Sequence, residues 1–496
     1  MLDTLSNAFV LFATWNNVLV LFIGVIVGTF VGAIPGMTTP MAVALSLPFT
    51  FTMPPVTGIL LLLGVYKGGI YGGSITAILI NAPGTPAASC TALDGYPLAK
   101  RGEARRALDM ALYASCVADF ISNLSLILFA GVLASFALQF GPAEVFTLIL
   151  FSLTIISGVS GDQLLKGFGS ACLGLILATV GLDLIYGTNR FVFGEFNLMN
   201  GLSFIPVLIG LFALPEIINY FMRTEAKHEQ SPLAGAGATL ADFMGSLKTI
   251  IRGSIIGVIL GAIPGIGGAP SAFLSYSEAR RNSKNKNNFG KGELEGVAAA
   301  EAGNNGVAGA TLIPLLALGI PGDIITAIIL GAFMIHGLRP GPLMFQENID
   351  LIYALFIGIM LSSIYLLVVG KFSIRLISKI ADVPHRILFP IVFVLCVFGA
   401  YAVNNSTFDV MVMMIMGLVG FAMLKLEIPA APFLIAFILG PMLEDNFRQS
   451  LLISKGSLGI FFSSTICWVF WTLTTLVIGL TIWSAIKRKP KPLADA

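Results

Sequence analysis

The stretch V-G-A-I-P-G at residues 31–36 recurs as L-G-A-I-P-G at 260–265. Three further pairs of similar stretches follow in the same order along the chain. They match 71–84 with 309–322, 141–146 with 383–388 and 206–215 with 432–441. A single apolar match would carry little information, but an ordered series with slowly drifting offsets predicts an internal duplication.

The composition places this duplication in a membrane. Of the 496 residues, 56% are hydrophobic and 11% are charged, whereas soluble proteins carry about 25% charged residues. Apolar runs of about 20 residues, enough for a helix to cross a bilayer, recur along the chain at 17–34, 58–80, 351–370 and 459–486. We therefore predict an all-α, polytopic membrane helix bundle. The basic residues are scattered in short loops, so no nucleic-acid partner is expected.

The repeat predicts a domain order of two transmembrane repeats and a tail. The first repeat covers 1–222, a cytoplasmic linker covers 223–245, and the second repeat covers 246–445. Residues 446–496 form one extra final helix and a basic C-terminal tail.

The basic loops predict how the two repeats are oriented. The loop 100–106 is strongly basic, whereas its counterpart near 339–350 holds one arginine beside two acids. Every basic loop in one half matches a non-basic loop in the other, and cytoplasmic loops are the ones enriched in Lys and Arg. We therefore predict inverted repeats, with the N-terminus outside and the C-terminus in the cytoplasm.

Each repeat contains two Pro-Gly steps inside apolar sequence. They are Pro35-Gly36 and Pro83-Gly84 in the first half, and Pro264-Gly265 and Pro321-Gly322 in the second. Proline removes a helix hydrogen bond, and broken backbone at membrane depth must be buried in protein or line a wet cavity. One such step fits a plain kink equally well. Matched broken or re-entrant helices in two halves favour a transporter site.

Small and polar residues around these breaks are the candidate site. A helix that begins after a break presents free N–H groups and a partial positive charge, which suit carboxylates. The substrate-binding candidates are Pro35, Gly36, Thr38, Thr39, Ser74, Asn81, Pro83, Gly84, Thr85, Gly265, Gly268, Asn304, Asn305, Pro321, Gly322 and Lys67. The cation-coupling candidates, for a sodium ion or a proton, are Asn81, Asn304 and Asp323. Small residues here fit helix packing equally well. No metal site and no other cofactor are expected.

Ionisable residues inside apolar segments are costly and indicate function. Lys67 lies mid-segment, Glu301 occupies nearly the equivalent place in the second half, and Asp119 lies deep in the helix predicted over 107–136. Lys67 fits two roles: it pairs with a substrate carboxylate, or it is the structural partner of a buried acid. Both roles stay open at this point.

The residues around the breaks resemble a known family, the large membrane subunit of the tripartite tricarboxylate transporters (TctA family). The resemblance extends over essentially the whole chain. Its most specific motifs are G-A-I-P-G-M-T-T-P at 32–40, K-G-G-I-Y-G-G-S-I-T-A-I-L-I-N-A-P-G-T-P at 67–86 and E-A-G-N-N-G-V-A-G-A-T-L-I-P-L-L-A-L-G-I-P-G-D at 301–323. The family's polar Gly/Pro segments coincide here with Pro35, Gly36, Thr38, Thr39, Gly72, Gly73, Ser74, Asn81, Pro83, Gly84, Asn304, Asn305, Pro321, Gly322 and Asp323.

This resemblance implies a permease in the bacterial inner membrane that imports citrate, other di- and tricarboxylates or further organic acids. It implies two protein partners, a TctC-like periplasmic solute-binding protein and a small TctB-like membrane subunit, with uptake driven by a sodium or proton gradient. The alternatives are an organic-anion transporter of another binding-protein-dependent family and a passive anion channel. Neither G-x-x-x-x-G-K-[ST] nor H-E-x-x-H occurs in the sequence, so we expect neither an ATPase nor a metalloprotease, and no enzyme activity.

Overall fold

The computed structural model describes residues 2–158, 164–183, 187–222, 233, 235–380 and 385–487. Most of the predicted linker and the tail beyond residue 487 lie outside the described residues. The chain divides into two compact units. The first comprises Met1–Leu138 with Ser203–Ala422, and the second comprises Gln139–Leu202 with Met423–Ala496. Each unit therefore contains segments of both predicted repeats.

The described residues are almost entirely helical. The first half contains α1 (Leu2–Phe12), α2 (Trp15–Gly32), α3 (Thr39–Ser46), α4 (Pro55–Ile80), α5 (Ala88–Leu98), α6 (Ala104–Ala137), α7 (Pro142–Gly158), α8 (Leu164–Ala178), α9 (Phe204–Phe212) and α10 (Leu214–Met222). The second half contains α11 (Leu240–Gly261), α12 (Gly268–Asn282), α13 (Leu294–Ala310), α14 (Leu312–Leu318), α15 (Ile324–Ile335), α16 (Met344–Glu347), α17 (Ile349–Ile380), α18 (His385–Asn404), α19 (Thr407–Lys425), α20 (Ala430–Ile453) and α21 (Thr465–Lys487). Ten helices in the described ranges are long and apolar enough to cross a membrane. The predicted all-α membrane bundle is confirmed.

Two helices form the centre of the first unit. Every residue of α4 from Val56 to Ile80 is buried, and α13 is buried from Gly296 to Ala310. Small residues let neighbouring helices approach these two closely. A methyl group on Gly257 of α11, for example, would lie 2.8 Å from Gly306 Cα of α13. Glycine is therefore required where α11 crosses α13.

The packing around α4 recurs around α13. Helix α2 packs along α4, and α11 packs along α13. The long helix α6 of the first half packs on α11 and α13, while α17 of the second half packs on α2 and α4. In each half, therefore, a pair of packed helices is contacted by a long helix of the other half. This recurrence within one unit supports the predicted duplication.

All four predicted Pro-Gly breaks interrupt helices. Helix α2 ends before Gly36 and α11 ends before Gly265, and these two glycines share the left-handed conformation with φ of +84° and +88°. Helix α4 ends at Asn81, with φ of +53°, and α14 ends at Gly319, with φ of +73°. Broken helices are thus confirmed at equivalent positions of both halves.

The second unit contains α7, α8, α20 and α21, together with the small antiparallel ribbon of β1 (Gly181–Leu182) and β2 (Asn189–Arg190). The ribbon is the exception to the all-α prediction. Ion pairs attach it to α20: Arg190 contacts Glu444 at 2.7 Å, and Arg448 contacts Asp183 at 2.9 Å. Helix α20 continues to Ile453, beyond the predicted end of the second repeat at residue 445.

Candidate substrate-binding site

At the starts of three of the four helices that follow a Pro-Gly break, a side chain accepts a hydrogen bond from a backbone N–H group. These side chains accept hydrogen bonds from backbone N–H groups that have no partner within the helix. The pairs are Thr38 with Met41 N at 3.4 Å, Thr85 with Ala88 N at 3.2 Å and Asp323 with Thr326 N at 2.7 Å, at the starts of α3, α5 and α15. In each of these three helices, one backbone N–H group of the first turn therefore already has a hydrogen-bond partner.

The start of α12 is different. Gly267 occupies the capping position with φ of +69°, and no side chain caps the helix. Gly267 and Gly268 are both half-buried, and the helix continues for 15 residues. Among the four described helix starts, α12 is thus the one at which no side chain accepts from the first-turn N–H groups, which Gly268 and Ala269 supply because Pro270 has none. Its positive dipole end suits an anion.

Asn304 of α13 lies beside this open helix start. A methyl group on Gly268 would be 2.5 Å from Asn304 Oδ1 and 3.6 Å from Ala87 Cβ. Asn304 is 4% exposed, and its Nδ2 has no hydrogen-bond partner among the described residues. Because an unpaired buried donor is costly, an orphaned amide of this kind indicates a ligand or water position. Within this amide, Oδ1 is the atom next to Gly268 and Nδ2 is the donor without a partner.

The breaks of the second half contact each other. Gly265 N donates to Gly322 O at 2.7 Å. Next to this contact, Tyr66 of α4 donates to Asp323 Oδ2 at 3.1 Å and lies 3.2 Å from the hydroxyl of Thr311. Helix α4 of the first half thereby reaches the second break of the other half.

Lys67 lies in a closed buried network. Its Nζ bonds to Asp119 and donates to Asn123 Oδ1 at 2.7 Å. Ser363 of α17 donates to Asp119 Oδ2 at 2.6 Å. Lys67 and Asp119 are each about 1% exposed. This pairing favours the structural alternative for Lys67, because Asp119 already compensates its charge.

A second network surrounds Glu301, which is fully buried on α13. Ser74 donates to its Oε1 at 2.6 Å, and Thr91 donates to the same oxygen. Ser115 and Asn305 donate to Oε2 at 2.9 and 3.2 Å. Two predicted candidates, Ser74 and Asn305, therefore hold this carboxylate.

Two cavities elsewhere in the first unit suit an organic anion less well. One of about 630 Å³ lies at the starts of α2, α4 and α17 and is lined by both Glu347 and Asp350, which repel anions. The other, of about 370 Å³, contains Arg105 and Lys371, but Lys371 already pairs with Asp109 at 2.9 Å.

The remaining predicted residues occupy several environments. Thr39 is buried beside Gly69, and its hydroxyl has no partner among the described residues. Gly84 N donates to Gly73 O at 3.2 Å. Asn81 is exposed at the end of α4, whereas Asn304 faces Gly268 and Asp323 caps α15. A joint cation site of Asn81, Asn304 and Asp323 stays a prediction.

Sequence reasoning did not select Tyr66, Thr91, Ser115 or Ser363. Tyr66 and Ser115 each had a signal, since Tyr66 precedes Lys67 and Ser115 lies one helical turn before Asp119. Thr91 and Ser363 carried no comparable signal.

A bundle of apolar helices with interrupted segments and buried ionisable groups defines a multi-pass membrane protein of the transport type. The profile of the tripartite tricarboxylate transporter TctA family matches residues 18–435. The chain belongs to this family, and it is a component of a tricarboxylate transporter.

Two proteins of Agrobacterium vitis are similar to the chain. One, described as "Uncharacterized 52.8 kDa protein in TAR-I ttuC' 3'region", is 37% identical over 485 residues, 97% of this chain and 95% of that protein. The other, "Uncharacterized protein in TAR-II ttuC' 3'region", is 34% identical over 233 residues, 47% of this chain and 96% of that protein. No solved structure gives a significant match.

Proposed function

We propose that the chain is the permease subunit of a binding-protein-dependent secondary transporter that imports di- or tricarboxylates. The observation that carries the proposal is the open start of α12 beside the unpartnered Nδ2 of Asn304. A carboxylate placed there accepts from free N–H groups and from the amide, and the helix dipole stabilises its charge. Family membership supports the carboxylate class of cargo.

The transport mechanism we propose is cation-coupled alternating access between inverted repeats. The recurring α2–α4 and α11–α13 packing supports two related halves, and the basic-loop pattern supports their opposite orientation. Substrate sites of such transporters lie where broken helices of the two halves meet. Asn304, Gly268 and Ala87 meet in this way, since Ala87 follows a break of the first half.

The proposed partners are a small TctB-like membrane subunit and a TctC-like periplasmic binding protein, with the chain in the bacterial inner membrane. The test reconstitutes the chain and the small subunit in proteoliposomes and adds the binding protein outside. We expect uptake of radiolabelled citrate or succinate that needs both the binding protein and an ion gradient. Downhill flux that ignores the binding protein and the gradient would contradict the proposal and indicate a passive channel.

A further inference from the structure

Glu301 and Asp119 are both fully buried carboxylates, but their hydrogen-bond partners differ. Asp119 is paired with the ammonium group of Lys67. Glu301 accepts hydrogen bonds only from neutral groups, and no basic side chain in the described part of the chain bonds to it. A permanently ionised carboxylate at this depth would require a counter-charge, because burying an unpaired charge is very costly.

The partners of Glu301 suit two protonation states. Three of them, Ser74, Thr91 and Ser115, are hydroxyls, and a hydroxyl can rotate to donate or to accept. They can donate to the carboxylate, or one can accept a hydrogen bond from the neutral acid. An ammonium partner such as Lys67 could only donate, and would hold the ionised form.

The side chains that surround Glu301 suit a sodium ion poorly. Sodium needs several oxygen ligands, yet Asn305 presents its amide nitrogen to Glu301 Oε2, and that nitrogen also contacts Ser115 Oγ at 2.9 Å. A donor nitrogen directed at the carboxylate repels a cation. The ligand that fits this enclosed site without rebuilding it is a proton.

We propose that Glu301 binds and releases the coupling proton of this transporter, a proposal that rests on the carboxylate transport function proposed above. Glu301 and Asn304 are three residues apart on α13, so their side chains are neighbours on one helix. Movement of α13 on substrate binding at Asn304 therefore changes the surroundings of Glu301. Substrate binding and proton binding are coupled through this one helix.

Other titratable groups surround Glu301 on the elements packed against α13. Tyr71 of α4 and Cys90 of α5 lie close enough to interact electrostatically with it. Further titratable groups on these elements include Tyr66, Lys67, Asp94, Asp109, Tyr113, Cys116, Asp119 and Tyr276. Helix α11 contacts this part of α13 through glycines, such as Gly253 against Ala302. Lys67 and Asp119 neutralise each other. Asp94 accepts from Tyr276 and from the backbone N–H groups of Gly292 and Glu293, and a backbone N–H can only donate. Glu301 differs from both acids because three of its four partners are hydroxyls.

The test uses proteoliposomes containing the proposed complex, with citrate and succinate as probes. Two activities are measured: accumulation driven by a pH gradient, and exchange of labelled for unlabelled substrate at equal pH. We expect Glu301→Gln to abolish accumulation and to keep exchange, because exchange needs no net proton release. Glu295→Gln is the matched control: its carboxylate on the same helix also accepts from two hydroxyls, of Thr249 and Ser283, but is half-exposed. It should leave both activities unchanged.

Wild-type vesicles supply a second measurement that does not depend on any variant. Substrate entry should make the outside medium more alkaline, as followed with a pH dye. Net substrate entry into wild-type vesicles without this signal, or unchanged accumulation in Glu301→Gln, would overturn the proton proposal alone. Glu301→Gln protein that inserts but loses exchange would also overturn it. Absence of any wild-type substrate transport would instead contradict the proposed function.

Glu301→Asp covers the case in which Glu301→Gln does not reach the membrane. It keeps a titratable group but shortens the side chain away from its hydroxyl partners. We expect coupled accumulation to persist with a shifted pH profile. An unchanged profile would overturn the proposal.

Discussion

The backbone N–H of Gly265 donates to the carbonyl oxygen of Gly322 at 2.7 Å. The two breaks of the second half are therefore fixed against each other, although more than fifty residues separate them in sequence. In the first half, Gly84 similarly returns to α4, donating to Gly73 O at 3.2 Å. These backbone contacts hold the broken segments in place.

Close helix packing predicts the effect of adding a methyl group on α11. In Gly257→Ala the new carbon would lie 2.7 Å from Gly303 O and 2.8 Å from Gly306 Cα. We expect a loss of about 1–3 kcal/mol, because backbone atoms cannot move aside easily. Thermal unfolding of the detergent-solubilised protein measures the change.

Gly245→Ala is the control on the same helix, since nothing lies within 4 Å of its new carbon. Alanine there should be neutral or stabilising by about 0.5–1 kcal/mol. A Gly257→Ala protein as stable as Gly245→Ala would contradict the packing described for α11 and α13.

The buried pair of Lys67 and Asp119 predicts strong non-additivity. Lys67→Met alone leaves Asp119 charged and unpaired, which should cost about 3–5 kcal/mol. The double variant Lys67→Met/Asp119→Asn removes both charges and should recover most of that stability. The free energies of unfolding of the double variant and of the single variants Lys67→Met and Asp119→Asn together give the interaction energy between the two side chains.

The same double variant separates the two roles of Lys67. A structural lysine predicts that citrate and succinate uptake survives in the stable double variant. A stable double variant without uptake would show that Lys67 acts on the substrate, against the pairing seen here.

The sequence predicted the architecture better than the site. Recurring apolar runs and four Pro-Gly steps were enough to predict a helical membrane bundle with broken helices, because these features act locally. The distinction between Thr38, which caps α3, and Gly267, which leaves α12 without a side-chain cap, is local as well, because it depends on the residue type two positions after each Pro-Gly step.

Long-range partners could not be read from the sequence. Glu301 was noticed as a buried acid, but Ser115, one of its donors, lies 186 positions away on α6. Lys67 lies 52 positions from Asp119, and the choice between its structural and substrate-binding roles required knowledge of that partner. Such pairings follow from how α4, α6 and α13 pack, which no local pattern specifies.

Inverted repeats predict the sides of two equivalent loops. Single cysteines at positions 103 and 345, introduced after replacement of the five native cysteines, should be labelled from opposite sides. Residue 103 should react from the cytoplasm and residue 345 from outside, because only the former loop is basic. A membrane-impermeant maleimide applied to intact and to inverted vesicles makes the measurement. Labelling of both positions from one side would refute the inverted arrangement.

The most direct test of the account is the substrate dependence of uptake in Asn304 variants. Asn446→Ala is the control, because the native Asn446 amide donates locally, to Met442 O. Loss of a hydrogen bond to a charged ligand costs about 1.5–3 kcal/mol, so Asn304→Ala should raise the KM for citrate or succinate about ten- to hundred-fold. Asn304→Asp should abolish uptake, since it places a carboxylate beside the anion. Both variants should still insert into the membrane. Wild-type KM in Asn304→Ala and normal uptake in Asn304→Asp would contradict a carboxylate bound at the start of α12.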